Sequence, residues 1–161
     1  MGLLEFGPKS WFSTRDYNIV QNGRTVGEID CAWVQERGTI KIGSTSYIAS
    51  RDGLISGTFF LESNGKRLVS ADKPSALHRS FTMQLGGRAF TLKAASTFGR
   101  AFVLTEGDHE VGSVAPQGFF GRKAKANLPD DLTLEVRAFL IWLVVVMWKR
   151  QAKAARASKS D

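Results

Sequence analysis

The sequence predicts a mainly β protein, a closed antiparallel barrel of about twelve strands that encloses a hydrophobic C-terminal α-helix. Three observations predict this fold class. Glycine-centred turn signals recur roughly every ten residues. The segments between the turns alternate apolar and polar side chains. One uninterrupted apolar stretch, residues 138–148, lies near the C-terminus.

The length and charge of the chain predict one domain. A chain of 161 residues with 43% hydrophobic content can bury a sizeable core. The net charge of +7 is concentrated at the C-terminus, because residues 149–161 hold five basic side chains and one acidic side chain. We therefore expect a single barrel domain over residues 1–150 and a flexible basic tail over residues 151–161.

The cysteine content favours a reducing, cytoplasmic compartment. Cys31 is the only cysteine, so the chain cannot form an internal disulfide. Residues 1–9 lack the apolar run of a secretory signal, and we do not expect export by that route.

The strands are separated by turn sequences with glycine at fixed places. Asn22-Gly23 and Asn64-Gly65 are the strongest signals, since both pairs suit the two positive φ angles of a type I′ turn. Weaker signals punctuate the rest of the chain, at Arg37-Gly38, Gly43-Ser44, Asp52-Gly53, Gly86-Gly87, Gly107-Asp108 and Gln117-Gly118. Together they delimit about twelve strands before residue 128.

The strands have one apolar face each. The alternation is clearest where Phe81, Met83 and Leu85 share one face while His78, Ser80, Thr82 and Gln84 share the other. The same period groups three further sets, namely Ile29, Cys31 and Trp33; Ile55, Phe59 and Leu61; and Phe90, Leu92 and Ala94. One-sided strands are typical of an antiparallel sheet curled around a single core.

The pattern changes from strand to helix after Pro129. Asp130 and Asp131 predict an N-cap and a negatively charged first turn, so we expect the helix over about residues 131–150. Because every residue from Ala138 to Trp148 is hydrophobic, this helix has no polar face and must be surrounded on all sides. The side chains expected to fill the barrel are Phe139, Leu140, Trp142, Leu143, Val145 and Val146.

Two environments can surround such a helix: a barrel interior or a bilayer. A helix that spans a membrane needs about 20 apolar residues, whereas this run has 11 and follows Glu135 and Arg137 in the same helix. A barrel of eleven or twelve strands has room for one helix inside. The length favours the barrel interior, and a C-terminal membrane anchor is the alternative.

A strand, turn, strand unit recurs three times, over Tyr17–Ile29, Phe60–Ala71 and Phe102–Val114. With the final hydrophobic helix, this order of elements resembles the superfamily of Tubby C-terminal domains, phospholipid scramblases and plant LURP-one-related proteins. The resemblance implies a twelve-stranded barrel threaded by the C-terminal helix. It places the chain among the small, mostly uncharacterised members.

The scramblase branch of this superfamily has features that the chain lacks. The resemblance implies an acidic calcium-binding segment just before the helix, but residues 119–129 contain no carboxylate. The cysteine cluster that scramblases use for palmitoylation is absent too. We therefore expect no metal and no cofactor.

The sequence contains no catalytic constellation. His78 and His109 are the only histidines, and no third metal ligand is implied beside them. Asp108-His109 lacks the Gly-x-Ser-x-Gly nucleophile motif that a hydrolase of that kind requires. We predict no catalytic residues, and an enzyme with a surface site is an alternative.

The candidate binding residues are basic. On the last strand Lys123 and Lys125 share one face and Arg122 takes the other. Together with Lys93 and Arg88, the two lysines are predicted to bind anionic phosphate head groups. The structural alternative is a solvated strand edge. Tubby domains bind phosphoinositides through basic residues on the barrel surface, and the resemblance implies the same class of ligand.

These observations predict a non-enzymatic, monomeric binding or adaptor module. Its expected partners are anionic phospholipid or an unidentified protein, and no nucleic acid is expected. We predict a cytoplasmic location, and peripheral attachment to the cytoplasmic side of a membrane is the alternative. The basic segment from Lys149 to Lys159 is interpreted as a solubilising cap or as a second contact with anionic lipid.

Overall fold

A computed structural model describes residues 2–10, 15–32, 35–53, 57–75, 78–118 and 123–159. Within these residues, twelve antiparallel strands form a closed barrel and are followed by one α-helix, which confirms the predicted fold class. The elements are β1 (Gly2–Pro8), β2 (Asp16–Gln21), β3 (Arg24–Ala32), β4 (Arg37–Ile42), β5 (Thr45–Arg51), β6 (Thr58–Ser63), β7 (Lys66–Asp72), β8 (Ser80–Leu85), β9 (Arg88–Ala94), β10 (Phe102–Glu106), β11 (His109–Pro116), β12 (Ala124–Leu128) and α1 (Leu134–Lys159).

Each strand pairs with its neighbours in sequence, and β1 closes the barrel against β12 from Gly2↔Leu128 to Phe6↔Ala124. Because successive strands run in opposite directions, the connections alternate between two rims. The helix-start rim carries the short turns that follow β2, β4, β6, β8 and β10, and residues 129–133 that lead into α1. The helix-exit rim carries the longer connections and the C-terminal part of α1.

The two strongest turn signals form the predicted backbone. Asn22 and Gly23 have φ angles of 52° and 77°, and Asn64 and Gly65 have φ angles of 52° and 78°. Two successive positive φ angles are the requirement of a type I′ turn, whose twist matches that of the flanking strands.

The three repeated units of the sequence are the hairpins β2–β3, β6–β7 and β10–β11. Each hairpin has a register shift at a corresponding place, at Ile19/Val20, at Leu61/Glu62 and at Leu104/Thr105. Such bulges bend a strand and increase its twist. Since they recur at every fourth strand, they curve the sheet at three evenly spaced places around the barrel.

The inward faces of the strands form the core. The buried members of the predicted apolar sets are Ile29, Cys31, Phe59, Leu61, Phe81, Met83, Phe90 and Leu92. Leu85 and Ala94 are partly buried and contact the same core. The predictions for Trp33 and Ile55 lie outside the described residues.

Helix α1 fills the interior of the barrel. The six side chains predicted to do so are buried, with Val145 2% exposed and Phe139, Leu140, Trp142, Leu143 and Val146 fully buried. Every residue from Arg137 to Met147 is buried, so this stretch of the helix is surrounded on all sides. No helix in the described part of the chain is long and apolar enough to cross a bilayer.

The helix differs from the prediction at both ends. Its first backbone hydrogen bond runs from Arg137 N–H to Thr133 O, 3.0 Å, so Thr133 occupies the cap position expected for Asp130 or Asp131. Asp130 instead accepts a hydrogen bond from the Gly2 amide. At the other end, α1 continues to Lys159 through the segment predicted to be a flexible tail. That segment consists largely of Ala, Lys, Arg and Gln, which are strong helix formers.

Candidate anion-binding surface

The helix-exit rim is rich in basic side chains. We define the basic surface as Lys73, Arg79, Lys93, Arg100, Lys123, Lys125 and helix residues 149–159. The helical part of this surface carries five cationic side chains and no carboxylate. The helix-start rim carries acidic side chains at Glu106, Asp108, Glu110, Asp130, Asp131 and Glu135 and also basic side chains, including Arg24, Lys41, Lys66 and Arg88, so its charges are close to balanced. The molecule therefore presents two ends of different charge.

Three of the four predicted binding residues lie at the helix-exit rim. Lys93 is the next-to-last residue of β9, Lys125 is the second residue of β12, and Lys123 directly precedes β12. All three are exposed, and none forms an ion pair with another described residue. Strands β10 and β11 separate β9 from β12, so Lys93 and Lys125 lie about three strand spacings apart, roughly 15 Å.

Arg88 is not part of this surface, which corrects the predicted set. It is the first residue of β9 and lies at the helix-start rim. Its Nε and Nη2 donate to the two carboxylate oxygens of Glu106 at 2.7 and 2.8 Å, and its Nη1 donates to Asp131. These hydrogen bonds raise the pKa of Arg88, and Arg88 in turn lowers the pKa of Glu106. Arg88 thus joins β10 to the segment that leads into α1. Arg122 lies outside the described residues.

Lys93 borders an open groove of about 650 Å³ between the β7–β8 connection and the end of β9. His78, Arg79 and Lys93 give the groove its basic groups. Hydroxyl groups come from Ser75, Ser80, Ser96 and Thr97. No carboxylate lines the groove among the described residues. Cationic groups beside hydroxyl groups suit a phosphate oxygen, which accepts charge-assisted hydrogen bonds.

A second basic cluster surrounds Glu36, in the turn between β3 and β4. Arg150 of α1 donates two hydrogen bonds of 2.6 Å to its carboxylate, and Arg51 at the end of β5 lies 3.5 Å from the same carboxylate. Burial lowers the pKa of nearby Lys73, Arg150 lowers it further, and Glu36 opposes both. The cluster fixes the point where α1 exits the barrel. Positive charges outnumber negative charges there.

We expect Glu36→Gln to lower the free energy of unfolding by about 2 kcal/mol, because two partly buried guanidinium groups lose their shared counter-charge. Chemical denaturation measures the change. The control is Glu28→Gln, which breaks the ion pair with Lys9 at 2.9 Å between two side chains that are 39% and 41% exposed. Such exposed pairs contribute little to stability, so we expect a much smaller loss for this variant. Equal losses in the two variants would contradict the role assigned to Glu36.

The two histidines lie at opposite rims, so they do not form the metal pair considered from the sequence. His78 Nδ1 lies 3.1 Å from Ser75 Oγ in the groove, whereas His109 begins β11 beside exposed Asp108. Within the described residues, no group of three or more His, Cys, Asp or Glu side chains is arranged to hold a metal ion. Burial raises the pKa of the Cys31 thiol to about 12, so this cysteine is a poor nucleophile.

Sequence reasoning missed Lys73, Arg79 and Arg100 as parts of the basic surface. Their proximity depends on which loops meet at one rim of a closed barrel. The usable signal was the strand count, because alternating strand direction assigns each connection to a rim.

No protein-family model, curated protein or solved structure matches the chain.

Proposed function

We propose that the protein is a non-enzymatic binding module that docks through its basic surface on membranes containing anionic phospholipid. The observation that carries the proposal is that Lys93, Lys123 and Lys125, none paired with a described acidic residue, lie at the same rim as a projecting basic helix. Glu5 lies opposite Lys125 in the β1–β12 register, and a phosphate-rich surface supplies further counter-charge to the three lysines. Each basic residue near such a surface contributes about 1 kcal/mol of attraction.

The filled interior supports an outer binding surface. The helix side chains from Ala138 to Met147 occupy the space inside the sheet and are at most 2% exposed. A barrel packed in this way holds no lipocalin-like ligand in its centre. A binding partner therefore contacts loops, strand ends or the projecting part of α1.

The projecting part of α1 has a suitable arrangement of charge. Residues 152–159 are exposed, and at about 1.5 Å per residue they extend α1 by roughly 12 Å. Lys149, Lys153 and Arg156 are spaced by four and three residues and so share one helix face. A row of cations on one face matches a planar anionic surface.

We also propose membership in the superfamily of Tubby C-terminal domains, phospholipid scramblases and LURP-one-related proteins. The closed barrel of twelve strands with its C-terminal helix inside supports this kinship. Tubby domains bind phosphoinositides through basic surface residues, which agrees with the class of ligand proposed here.

The proposed function predicts that the triple variant Lys93→Ala, Lys123→Ala, Lys125→Ala binds anionic vesicles about 100-fold more weakly than the unmodified chain. Co-sedimentation with phosphatidylcholine vesicles, with and without phosphatidylserine, measures the binding. The unmodified chain is expected to bind only the anionic vesicles and to lose affinity as salt screens the charges.

The matched control is Arg24→Ala, Lys41→Ala, Lys66→Ala. It removes the same number of positive charges from exposed strand positions toward the helix-start rim. We expect its binding to stay within about twofold of the unmodified chain, since its charges face away from the bilayer and lie beyond a Debye length. Equal losses in the two triples would overturn the site assignment. No binding of the unmodified chain, or preference for duplex DNA at the same ionic strength, would overturn the function.

A further inference from the structure

Phe98 is the most exposed large hydrophobic side chain in the described part of the chain. It is 89% exposed, compared with 42% for Leu3 and 43% for Leu68. Phe98 lies in the β9–β10 loop at the helix-exit rim, beside the basic surface. A single exposed apolar side chain is ordinary by itself. What distinguishes Phe98 is the set of hydrogen bonds made by the loop that carries it.

The carbonyl groups of five consecutive loop residues accept hydrogen bonds from side chains outside the loop. Arg79 donates through Nη1 to Gly99 O at 2.7 Å and through Nη2 to Ser96 O and Thr97 O at 2.9 and 2.8 Å. Two side chains of α1 complete the set. Gln151 Nε2 donates to Phe98 O at 3.2 Å, and Trp148 Nε1 donates to Arg100 O at 2.7 Å.

These hydrogen bonds lower the cost of moving the loop out of water. Irregular backbone normally resists entering a membrane, because its carbonyl groups lose their water partners without replacement. In this loop the carbonyl groups of residues 96–100 already have protein donors. Arg79, Trp148 and Gln151 also fix the loop to the residue that precedes β8 and to α1, so little conformational entropy is lost when the loop binds.

The charges around Phe98 match an anionic membrane surface. The Arg100 guanidinium lies 4.6 Å from the centre of the Trp148 ring, and Lys93 and Lys153 belong to the neighbouring strand and helix. An apolar side chain carried among basic residues is typical of segments that lie at the boundary between head groups and acyl chains. The ring supplies apolar contact and the cations bind the phosphates.

We propose that the β9–β10 loop inserts the Phe98 ring into the acyl boundary of an anionic bilayer. This inference rests on the proposed membrane-docking function and adds the inserting residue and the orientation of the barrel. In that orientation the helix-exit rim faces the lipid and the helix-start rim faces away from it.

An environment-sensitive fluorophore tests the insertion directly. Phe98→Cys is labelled with a nitrobenzoxadiazole dye, while native Cys31 stays unlabelled because it is fully buried with a pKa of about 12. The control carries the dye at Leu3→Cys, on β1 at the helix-start rim. With phosphatidylserine vesicles we expect a blue shift and quenching by brominated acyl chains at position 98, and neither effect at position 3.

Substitution at Phe98 tests the contribution to affinity. Phe98→Ala is expected to bind anionic vesicles about tenfold more weakly. Phe98→Trp is expected to bind at least as tightly as the unmodified chain, because Trp favours the membrane interface. Both variants should retain the melting temperature of the unmodified chain, since the ring is exposed.

The outcomes separate the two proposals. If the unmodified chain does not bind anionic vesicles, the docking function fails and the insertion fails with it. If it binds, but the dye at position 98 stays in water and Phe98→Ala binds normally, only the insertion is overturned. A dimer that dissociates in Phe98→Ala, together with an unshifted dye, would assign the ring to a contact between two copies and would also overturn the insertion.

Discussion

A chain that ends at Leu128, directly after β12, is expected to give an insoluble or molten product. Such a chain keeps all twelve strands but lacks α1. The inward side chains of the sheet, including Leu4, Ile40, Phe59 and Leu104, would then face an empty interior. Water would enter the barrel or the sheet would collapse, and either change removes the specific packing of the core.

The size of the effect follows from the area that α1 buries. Nine large apolar side chains of the helix, from Phe139 to Met147, are enclosed on all sides. They contribute roughly 14 to 27 kcal/mol of gross burial energy, at about 1.5 to 3 kcal/mol each. The net stability of a domain is about 5 to 15 kcal/mol. The burial energy lost with the helix is therefore larger than the net stability that a domain of this kind has.

The matched control is a chain that ends at Gln151, which keeps the buried part of α1, the bond between Trp148 and Arg100, and the Glu36–Arg150 pair. We expect this chain to fold. Near-ultraviolet circular dichroism and binding of an apolar dye distinguish a packed core from a molten state. A chain ending at Leu128 that unfolds cooperatively, with near-ultraviolet signals showing fixed packing of its remaining aromatic side chains, would show that the barrel does not need its helix.

Much of the fold is predictable because its signals are local. Period-two alternation identifies the strands, Asn-Gly pairs identify two turns, and a helix without a polar face requires an enclosure. The ends of α1 were harder to predict. Thr133 caps the helix because Asp130 and Asp131 are used elsewhere, by the Gly2 amide and by Arg88. Those contacts join distant parts of the chain, and the local sequence does not reveal them.

The candidate site was predictable in part, and one error could have been avoided. Arg88 and Lys93 lie five residues apart on one strand, which separates them by about 17 Å. Their odd spacing also assigns them to opposite faces of the sheet. Both signals were available in the sequence, and both argue against a shared patch. By contrast, the donation of Arg79 to the loop carrying Phe98 depends on side-chain geometry at the rim and has no sequence signature.

The closest fit between helix and sheet occurs at Gly38. A Cβ atom at this position of β4 would lie 2.6 Å from Nε1 and 3.0 Å from Cδ1 of Trp142. Gly38 does not have a positive φ, so its backbone suits any residue and only the space is restricted. The missing side chain makes room for the indole, which also packs against Phe59 and Phe139 with ring centres 6.0 Å away. The sheet is thus shaped for this one aromatic side chain.

This fit predicts that the effect of Gly38→Ala on stability depends on whether Trp142 is present. Trp142→Ala is expected to lower the free energy of unfolding by about 3 to 5 kcal/mol, because it leaves a cavity in the centre of the barrel. Gly38→Ala alone is expected to cost about 1 to 3 kcal/mol through overpacking. In the Trp142→Ala background the same Gly38→Ala change should be neutral or slightly stabilising. The indole is then gone, and Ala reduces the entropy of the unfolded chain.

Urea denaturation of the two single variants and the double variant measures the coupling between the two positions. We expect an interaction energy of about 1 to 3 kcal/mol, which is typical of residues in direct contact. The carbonyl oxygen of Asp30 lies 3.3 Å from the same Cβ position, and it is the other neighbour able to resist the methyl group. If Gly38→Ala cost the same in both backgrounds, the resistance would come from Asp30 and the sheet, and Trp142 would not be the side chain that requires glycine at this position.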